Sequence, residues 1–130
     1  MMNMFHDAVT VYNRYHSDGG EKWHRTVVCG VYMDIVRGAI ARKTGVSGTD
    51  SAVLMIPMNI PPCTDFVNPA SYSGTGWTLQ TGDYIAYGEI LQDITVSPKE
   101  LRGICDSYVI TAVDRKHHGG PMSHWEVTAK

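Results

Sequence analysis

A long run of alternating residues constrains the fold of this chain more than any other feature. Between Trp23 and Val36, the odd positions hold tryptophan, arginine, valine, cysteine, valine, methionine and isoleucine in turn. This period of two predicts a long β-strand with one face buried, and Cys29 is expected on that buried face as a small, inert apolar residue. Gly30 at the centre predicts a bulge or a sharp bend, which lets a long strand curl around a barrel corner.

Shorter segments with strand character lie on both sides of this run. Their composition is β-branched and aromatic, and turn-forming residues separate them. The predicted strands are Ala8–Tyr12, which leads into a turn at Ser17–Gly20, then Ser51–Ile56, Ser107–Asp114 and Trp125–Thr128. A turn or loop is expected at His117–Pro121, between the last two of them.

Two local patterns predict more specific elements. Trp77–Leu79 and Tyr84–Tyr87 are separated by a Gln-Thr-Gly-Asp sequence, which favours a hairpin in which Gly82 supplies a positive φ. Ser97, Pro98 and Glu100 have the spacing of a capping box with proline at the first helical position. The sequence therefore predicts one hairpin here, followed by one short helix that ends near Gly103.

Two segments are expected to be long loops. Residues 37–50 contain three glycines and three basic side chains without a sustained period, which indicates an extended, mobile connection. Residues 57–76 are interrupted by Pro57, Pro61, Pro62 and Pro69. Loops of this length in a small domain tend to be functional, or disordered until they bind a partner.

These elements predict a mainly β fold with one domain spanning residues 1–130. Six or seven strands follow one another through turns, with one short helix, two long loops and no alternating helical pattern. A single antiparallel β-barrel or sandwich follows from this order. The length of 130 residues suits one core and not two.

Composition argues against several classes of protein. The net charge of −2 offers no diffuse basic field to hold phosphates, and charged residues make up 18% of the chain, below the typical value of about 25%. Such a surface is expected to be partly covered by partners. The three cysteines form no Cys-x-x-Cys pair, so a reducing compartment is expected. We expect neither a secretion signal nor a membrane span, since Ala52–Ile56 is the longest wholly apolar run.

No catalytic or cofactor-binding motif is found in the sequence, so we predict a non-enzymatic protein without a cofactor. A nucleophile elbow, a phosphate-binding loop and a dinucleotide fingerprint are all missing. Cys63 and Cys105 lack an activating sequence context. Six histidines occur without zinc-ligand spacing. The best local metal candidates, His117, His118 and His124 with Asp114, are better explained as a solvated polar turn.

An alternative from another class is an OB-like protein that binds single-stranded nucleic acid. Its bases would stack on aromatic side chains of one barrel face, namely Tyr12, Tyr15, Trp23, Tyr32 and Tyr87. Few basic residues are interleaved with these aromatics, which favours ordinary packing across strands and at subunit contacts instead.

The order of the motifs resembles that of a family of uncharacterised short proteins from phages and prophages of Gram-positive bacteria, whose genes lie among those for capsid and tail assembly. The resemblance covers nearly the whole chain. More broadly, the chain is similar to the small β-barrel head-closure, or stopper, proteins that form a ring beneath the portal and adaptor. It is carried by Val9–Tyr15, Trp23–Val31, Asp50–Pro57, Trp77–Ile85, Ser97–Leu101 and His124–Val127.

The resemblance implies a virion protein of the head-to-tail interface that is made in the host cytoplasm. It would form a six- or twelvefold homo-oligomeric ring, with portal or adaptor above and a tail component below. DNA would pass through its lumen without specific binding. A tail terminator, or another tail or minor capsid component, is the alternative within this class. We expect the two long loops to make the contacts, with candidate residues Arg37, Arg42, Lys43, Val46, Asn59, Asp65, Phe66 and Tyr72.

Overall fold

The fold is a closed antiparallel β-barrel, which confirms the predicted mainly β class. A computed structural model describes residues 7–17, 19–42, 45–57, 66–95, 97–101, 103–116 and 123–130, with the backbone alone for 36–42, 45–50 and 116. Within these residues, six strands close in the order β1-β2-β3-β6-β5-β4. The strands are β1 (Asp7–Ser17), β2 (Gly20–Arg42), β3 (Gly45–Pro57), β4 (Tyr84–Tyr87), β5 (Ser107–Lys116) and β6 (His124–Ala129).

Strand β2 turns a corner of the barrel at Gly30, as the sequence predicts. Its residues up to Val31 pair with β1, and those from Tyr32 onward pair with β3. The β1 register skips Gly30, which has a φ of 79° that most side chains would not tolerate. The extra residue reverses which positions face the interior, since Val28 and Val31 are both buried while Cys29 is exposed. The predicted burial of Cys29 is therefore wrong, because the bulge shifts the alternation by one residue.

Aliphatic and aromatic side chains fill the barrel interior. Every strand contributes to this core, and residues of the segment between β3 and β4 complete it. Its largest fully buried members are Trp77, Leu54, Ile56, Ile85, Ile110, Val9, Val11, Val28, Val31 and Val127. In a barrel of six strands, the side chains of the strands fill the interior, so the barrel leaves no channel wide enough for DNA.

Residues 37–42 and 45–50 are strand and not a mobile connection, which corrects the sequence-based prediction for them. Arg37–Arg42 and Gly45–Asp50 continue the β2–β3 ladder, with Arg37 opposite Asp50 and Arg42 opposite Gly45. The glycines and short side chains here carry little β-propensity. The register set by the barrel portion of the same two strands nevertheless extends through them, because antiparallel backbone pairing does not require large side chains.

Two smaller predictions are adjusted by the structure. Trp77–Leu79 is not the first arm of a hairpin, since β4 pairs with β1 and β5, and Trp77 bridges Phe66 in a parallel sense. The turn before β4 does contain Gly82 at a φ of 91°. The predicted helix after Ser97 is a single 3-10 turn, Pro98–Leu101, and a second such turn covers Pro69–Ser71. The predicted turn at His117–Pro121 lies outside the described residues.

Candidate functional site

The outer part of the β2–β3 hairpin projects from the barrel as a two-stranded ribbon, which we define as residues 37–42 and 45–50. Strand β1 pairs with β2 only as far as Val31, and β6 pairs with β3 only from Ala52 to Pro57. In the described part of the chain, each arm of the ribbon therefore has only the other arm as its partner. At about 3.4 Å per residue, six paired residues extend the ribbon by roughly 20 Å.

Among the residues that the structure describes, the outer edge of each ribbon arm has no strand partner. An arm paired on one side leaves a row of N–H and C=O groups on its other side, and such an edge can pair with another chain. Three of the predicted contact residues, Arg37, Arg42 and Val46, lie in this ribbon at ladder positions opposite Asp50, Gly45 and Ala41. Lys43 lies outside the described residues. The predicted mobile connection is therefore wrong for these residues, and their role in contacts stays a prediction.

The second predicted contact segment makes internal contacts where it is described. Phe66 packs against Trp77 and Trp125, with ring centroids 5.1 and 4.4 Å away. Tyr72 meets Tyr15 edge-on, and burial raises the pKa of the Tyr72 hydroxyl to about 12. Both side chains are half-buried, so they anchor the segment to the barrel. The other two candidates, Asn59 and Asp65, lie outside the described residues.

A buried polar cluster fixes the segment that precedes β4. The side-chain amide of Asn13 donates to the Thr78 carbonyl oxygen at 2.7 Å and to Asp83 Oδ2 at 2.9 Å. Its oxygen accepts the Thr78 backbone N–H at 3.0 Å. Asn13, Thr78 and Asp83 are fully buried. Burial raises the pKa of the Asp83 carboxyl, while hydrogen bonds from Asn13, Gln80 and the Arg14 backbone N–H act in the opposite direction.

This cluster is one end of a segment that spans the barrel. Residues 66–83 contact β1 through Asn13 and contact β6 through the packing of Phe66 on Trp125. Two strands separate β1 from β6 in both directions around the barrel, so they lie on opposite sides. The polar cluster therefore has a structural role in holding this segment in place, and sequence reasoning did not find it.

A second segment, residues 88–106, lies on the outer face of the barrel, and we call it the cover. Beneath it is a small cluster of buried side chains, Tyr12, Ala86, Ile94 and Leu101, with half-buried Trp23, Tyr84, Ile90 and Cys105 packed against it. Tyr12 Oη donates to the Gln92 carbonyl oxygen at 2.6 Å. Burial raises the pKa of this hydroxyl to about 12. The cover makes both faces of β1 internal at this position.

Hydrogen bonds hold the cover against β1 and β2. Thr10 Oγ1 donates to the Gly88 carbonyl oxygen and accepts the Ile90 N–H. Arg25 Nε lies 2.7 Å from Asp93 Oδ1. The predicted capping box is present, since Glu100 accepts the Ser97 N–H at 2.8 Å. One signal in the sequence could have revealed the cover: Val9–Tyr12 has no charged residue on either face, which is typical of a strand buried on both sides.

The outward surface of the cover carries unusually exposed apolar side chains. Leu91 is 83% exposed and Ile104 is 53% exposed. Both flank the small cluster beneath the cover, since their sequence neighbours Ile90 and Cys105 pack against it. Glu89 and Asp93 are exposed on either side of Leu91. This surface therefore combines aliphatic and acidic groups.

The cysteines that the structure describes are not activated. Cys29 Sγ lies 3.8 Å from Glu89 Oε1, and both burial and this carboxylate raise the pKa of the thiol. Burial and nearby Asp106 also raise the pKa of Cys105. A raised pKa leaves less of the nucleophilic thiolate at neutral pH. Neither site has the electrostatic setting of a cysteine nucleophile.

The candidate metal ligands are only partly within the described residues. His124 Nε2 lies 3.9 Å from Glu126 Oε2, and Asp114 is paired with Glu126 across the β5–β6 ladder. His117 and His118 lie outside the described residues. In the part of the chain that the structure covers, no three His, Cys, Asp or Glu side chains gather closely enough to hold a metal ion.

The aromatic residues considered as a base-stacking platform do not form one surface. Tyr12 is fully buried beneath the cover, and Trp23 is half-buried against Tyr84 with ring centroids 5.8 Å apart. Tyr15 packs on Tyr72. Tyr87 is 44% exposed. Three of the five rings proposed for base stacking, Tyr12, Trp23 and Tyr15, are therefore packed against other parts of the protein.

Comparison with known proteins identifies a family but no characterised relative. The model of a family of unknown function, DUF6751, matches residues 4–130. No curated protein and no solved structure matches the chain. No helix in the described residues has the length and apolar character required to cross a membrane.

Proposed function

We propose that this chain, which belongs to the DUF6751 family of unknown function, is a non-enzymatic virion protein of a tailed phage that forms part of the head-to-tail interface. Its role is that of a head-closure or connector subunit in a homo-oligomeric ring. The observation that supports this role best is the ribbon that projects from a closed barrel, because the outer edges of its two arms have no strand partner among the described residues. In the barrel, every strand pairs with a strand on each side, whereas each described arm of the ribbon pairs on one side only. An edge of this kind can pair with a neighbouring subunit, which suits a protein that joins subunits.

The packed interior supports a ring in which the channel lies between subunits. Since side chains fill the barrel, DNA in such an assembly would pass through the lumen that several copies enclose. A net charge of −2 suits this position, because a subunit without a basic field would not grip a polyanion that must slide past it. The ring would contact portal or adaptor above and a tail component below, in the virion and, during assembly, in the host cytoplasm.

The proposal is tested by measuring the mass of the purified chain across concentration, by light scattering after gel filtration. A parallel assay measures binding to single-stranded DNA at physiological ionic strength. We expect a ring, or a monomer that assembles with a portal-type partner, and no DNA binding in either case. A stable monomer that binds single strands with a steep salt dependence would refute the proposal and favour an OB-like function.

A further inference from the structure

We propose that the cover is a strap that detaches from the barrel as one unit while the six strands stay closed, so that the outer face of β1 has a covered and an uncovered state. The described residues of this strap are 88–95, 97–101 and 103–106. Such opening is a property of the single chain and does not depend on the proposed function.

The two ends of the cover are joined to each other at the barrel surface. The Tyr87 N–H donates to the Asp106 carbonyl oxygen at 3.2 Å, directly beside the β4–β5 ladder. Gly88 and Gly103, near these ends, have φ of 89° and 79°, and no atom lies within 4 Å of where a Cβ would be. Since the ends stay together, the loop between them can leave the surface without separating the strands that flank it.

The interior core does not depend on the cover. Along β1, Val9 and Val11 belong to the interior core, whereas Tyr12 belongs to the cluster beneath the cover. Strand β4 divides in the same way, with Ile85 inside and Ala86 outside. The two clusters have no buried residue in common. Loss of the contacts under the cover therefore leaves the packing inside the barrel in place.

The cover buries little of its own apolar surface. Of its described residues, only Ile94 and Leu101 are buried, and most of the others are exposed. Apart from one 3-10 turn, its described residues have no regular secondary structure. A segment with few buried apolar contacts and much exposed backbone opens at a lower free energy than a packed core.

A buried donor without a partner favours the uncovered state. Trp23 Nε1 is buried and has no hydrogen-bond partner among the described residues. The Trp23 side chain packs against the cluster beneath the cover. A buried N–H without a partner is costly, whereas the same group in solvent bonds to water. Detachment of the cover would expose this side chain to water, which lowers the free energy required for opening.

Hydrogen exchange of the full-length protein, followed amide by amide by NMR, tests the proposal. The probes are the amides of Glu100 and Ile104, which donate to the carbonyl oxygens of Ser97 and Leu101 inside the cover. The slowest amides of the β1–β2 ladder are the reference. In the wild type, we expect the two probes to share one degree of protection, at least about tenfold smaller than that of the reference amides.

The variant Thr10→Val weakens the attachment of the cover from below. It removes the donor to the Gly88 carbonyl oxygen and the acceptor of the Ile90 N–H. Neither probe bonds to Thr10, but both should exchange about tenfold faster, because the strap opens as a whole.

A matched control changes the interior core instead. Ile56→Val deletes one methyl group from a fully buried side chain of that core. It should speed exchange of the reference amides about fivefold, because they exchange through unfolding of the barrel. The two probes should keep their wild-type rates. Thermal unfolding confirms that both variants are folded.

Three results would overturn the inference. Wild-type probes as protected as the reference amides would show that the cover leaves only when the barrel unfolds. Equal acceleration of probes and reference amides in Ile56→Val would show the same. Probes that Thr10→Val leaves unchanged would show that their turn opens alone and not as part of one strap. The mass of the protein in solution enters none of these outcomes, so the proposed function can fail or succeed separately.

Discussion

The barrel body and the ribbon are built from the same two strands but are stabilised differently. In the body, β2 and β3 belong to a closed sheet and enclose Leu54, Ile56 and Val31 at 0% exposure. In the ribbon, the described arms pair only with one another. A two-stranded hairpin without a third strand or a covering layer is at most marginally stable in water. The difference indicates that the body is fixed by its own core, whereas the described part of the ribbon is held only by the pairing of its two arms.

The largest expected effect is on the body core. Leu54→Ala should lower the free energy of unfolding by about 4 kcal/mol, because it leaves a cavity among side chains that cannot fully collapse. The matched change in the ribbon, Ile40→Ala, should cost less than about 0.5 kcal/mol. Urea unfolding followed by tryptophan fluorescence measures both. Equal losses would show that the ribbon is part of the same core, and the comparison between the two regions would fail.

The polar part of the body should be nearly as sensitive. Asn13→Ala removes both partners of the Thr78 backbone and one partner of Asp83, all of them buried. We expect a loss of about 3 kcal/mol, because buried polar groups without partners are costly. Gln92→Ala, at an exposed position, should cost about 0.5 kcal/mol or less. A small loss for Asn13→Ala would mean that the cluster does not hold residues 66–83 in place.

The parts of the fold that the sequence predicts are those that depend on local signals. The strand between Trp23 and Val36, the bend at Gly30 and the capping box at Ser97 are predicted from local signals, and all three are present in the structure. The position of Cys29 was predicted wrongly because a bulge reverses the alternation, and pattern alone does not show on which side of it the reversal applies.

Long-range features escaped prediction for a different reason. Asn13 and Thr78 are 65 residues apart, and Tyr12 and Gln92 are 80 apart, so no local period connects them. The sequence of the ribbon predicts a loop because its glycines and short side chains mask the strand pattern. Its extended conformation follows from the register of the barrel next to it. The contact role of Arg37, Arg42 and Val46, which lie in the ribbon, stays a prediction.

A smaller effect is expected at the cover. Tyr12→Phe removes the hydrogen bond to the Gln92 carbonyl oxygen and should lower the free energy of unfolding by about 1 kcal/mol. Hydrogen exchange at the Ile90 amide should accelerate, because this N–H bonds to Thr10 beneath the cover. Tyr87→Phe makes the same chemical change where the hydroxyl is exposed and lies 3.4 Å from Asp7, and should have almost no effect. If both variants behaved alike, the cover would not depend on its buried contacts.

The smallest expected effect concerns the Asp83 carboxyl, since its hydrogen bonds partly offset its burial. Because burial raises its pKa in the folded state above that in the unfolded state, the folded protein holds this proton more tightly. The contribution of Asp83 to wild-type stability should therefore decrease as pH rises from about 3.8 to the folded pKa. Asp83→Asn lacks this proton, so the stability of the variant minus that of the wild type should increase over the same window. A difference that is flat or decreases with pH would contradict the assignment.

The most direct test of the account removes the ribbon and keeps the barrel. Residues 38–49 are replaced by Asn-Gly, which joins the paired residues Arg37 and Asp50 through a two-residue turn. We expect the free energy of unfolding to stay within about 0.5 kcal/mol of the wild-type value, while light scattering shows that assembly is lost. A variant that unfolds much more easily, or one that assembles as the wild type does, would contradict the assignment of the ribbon as the assembly arm.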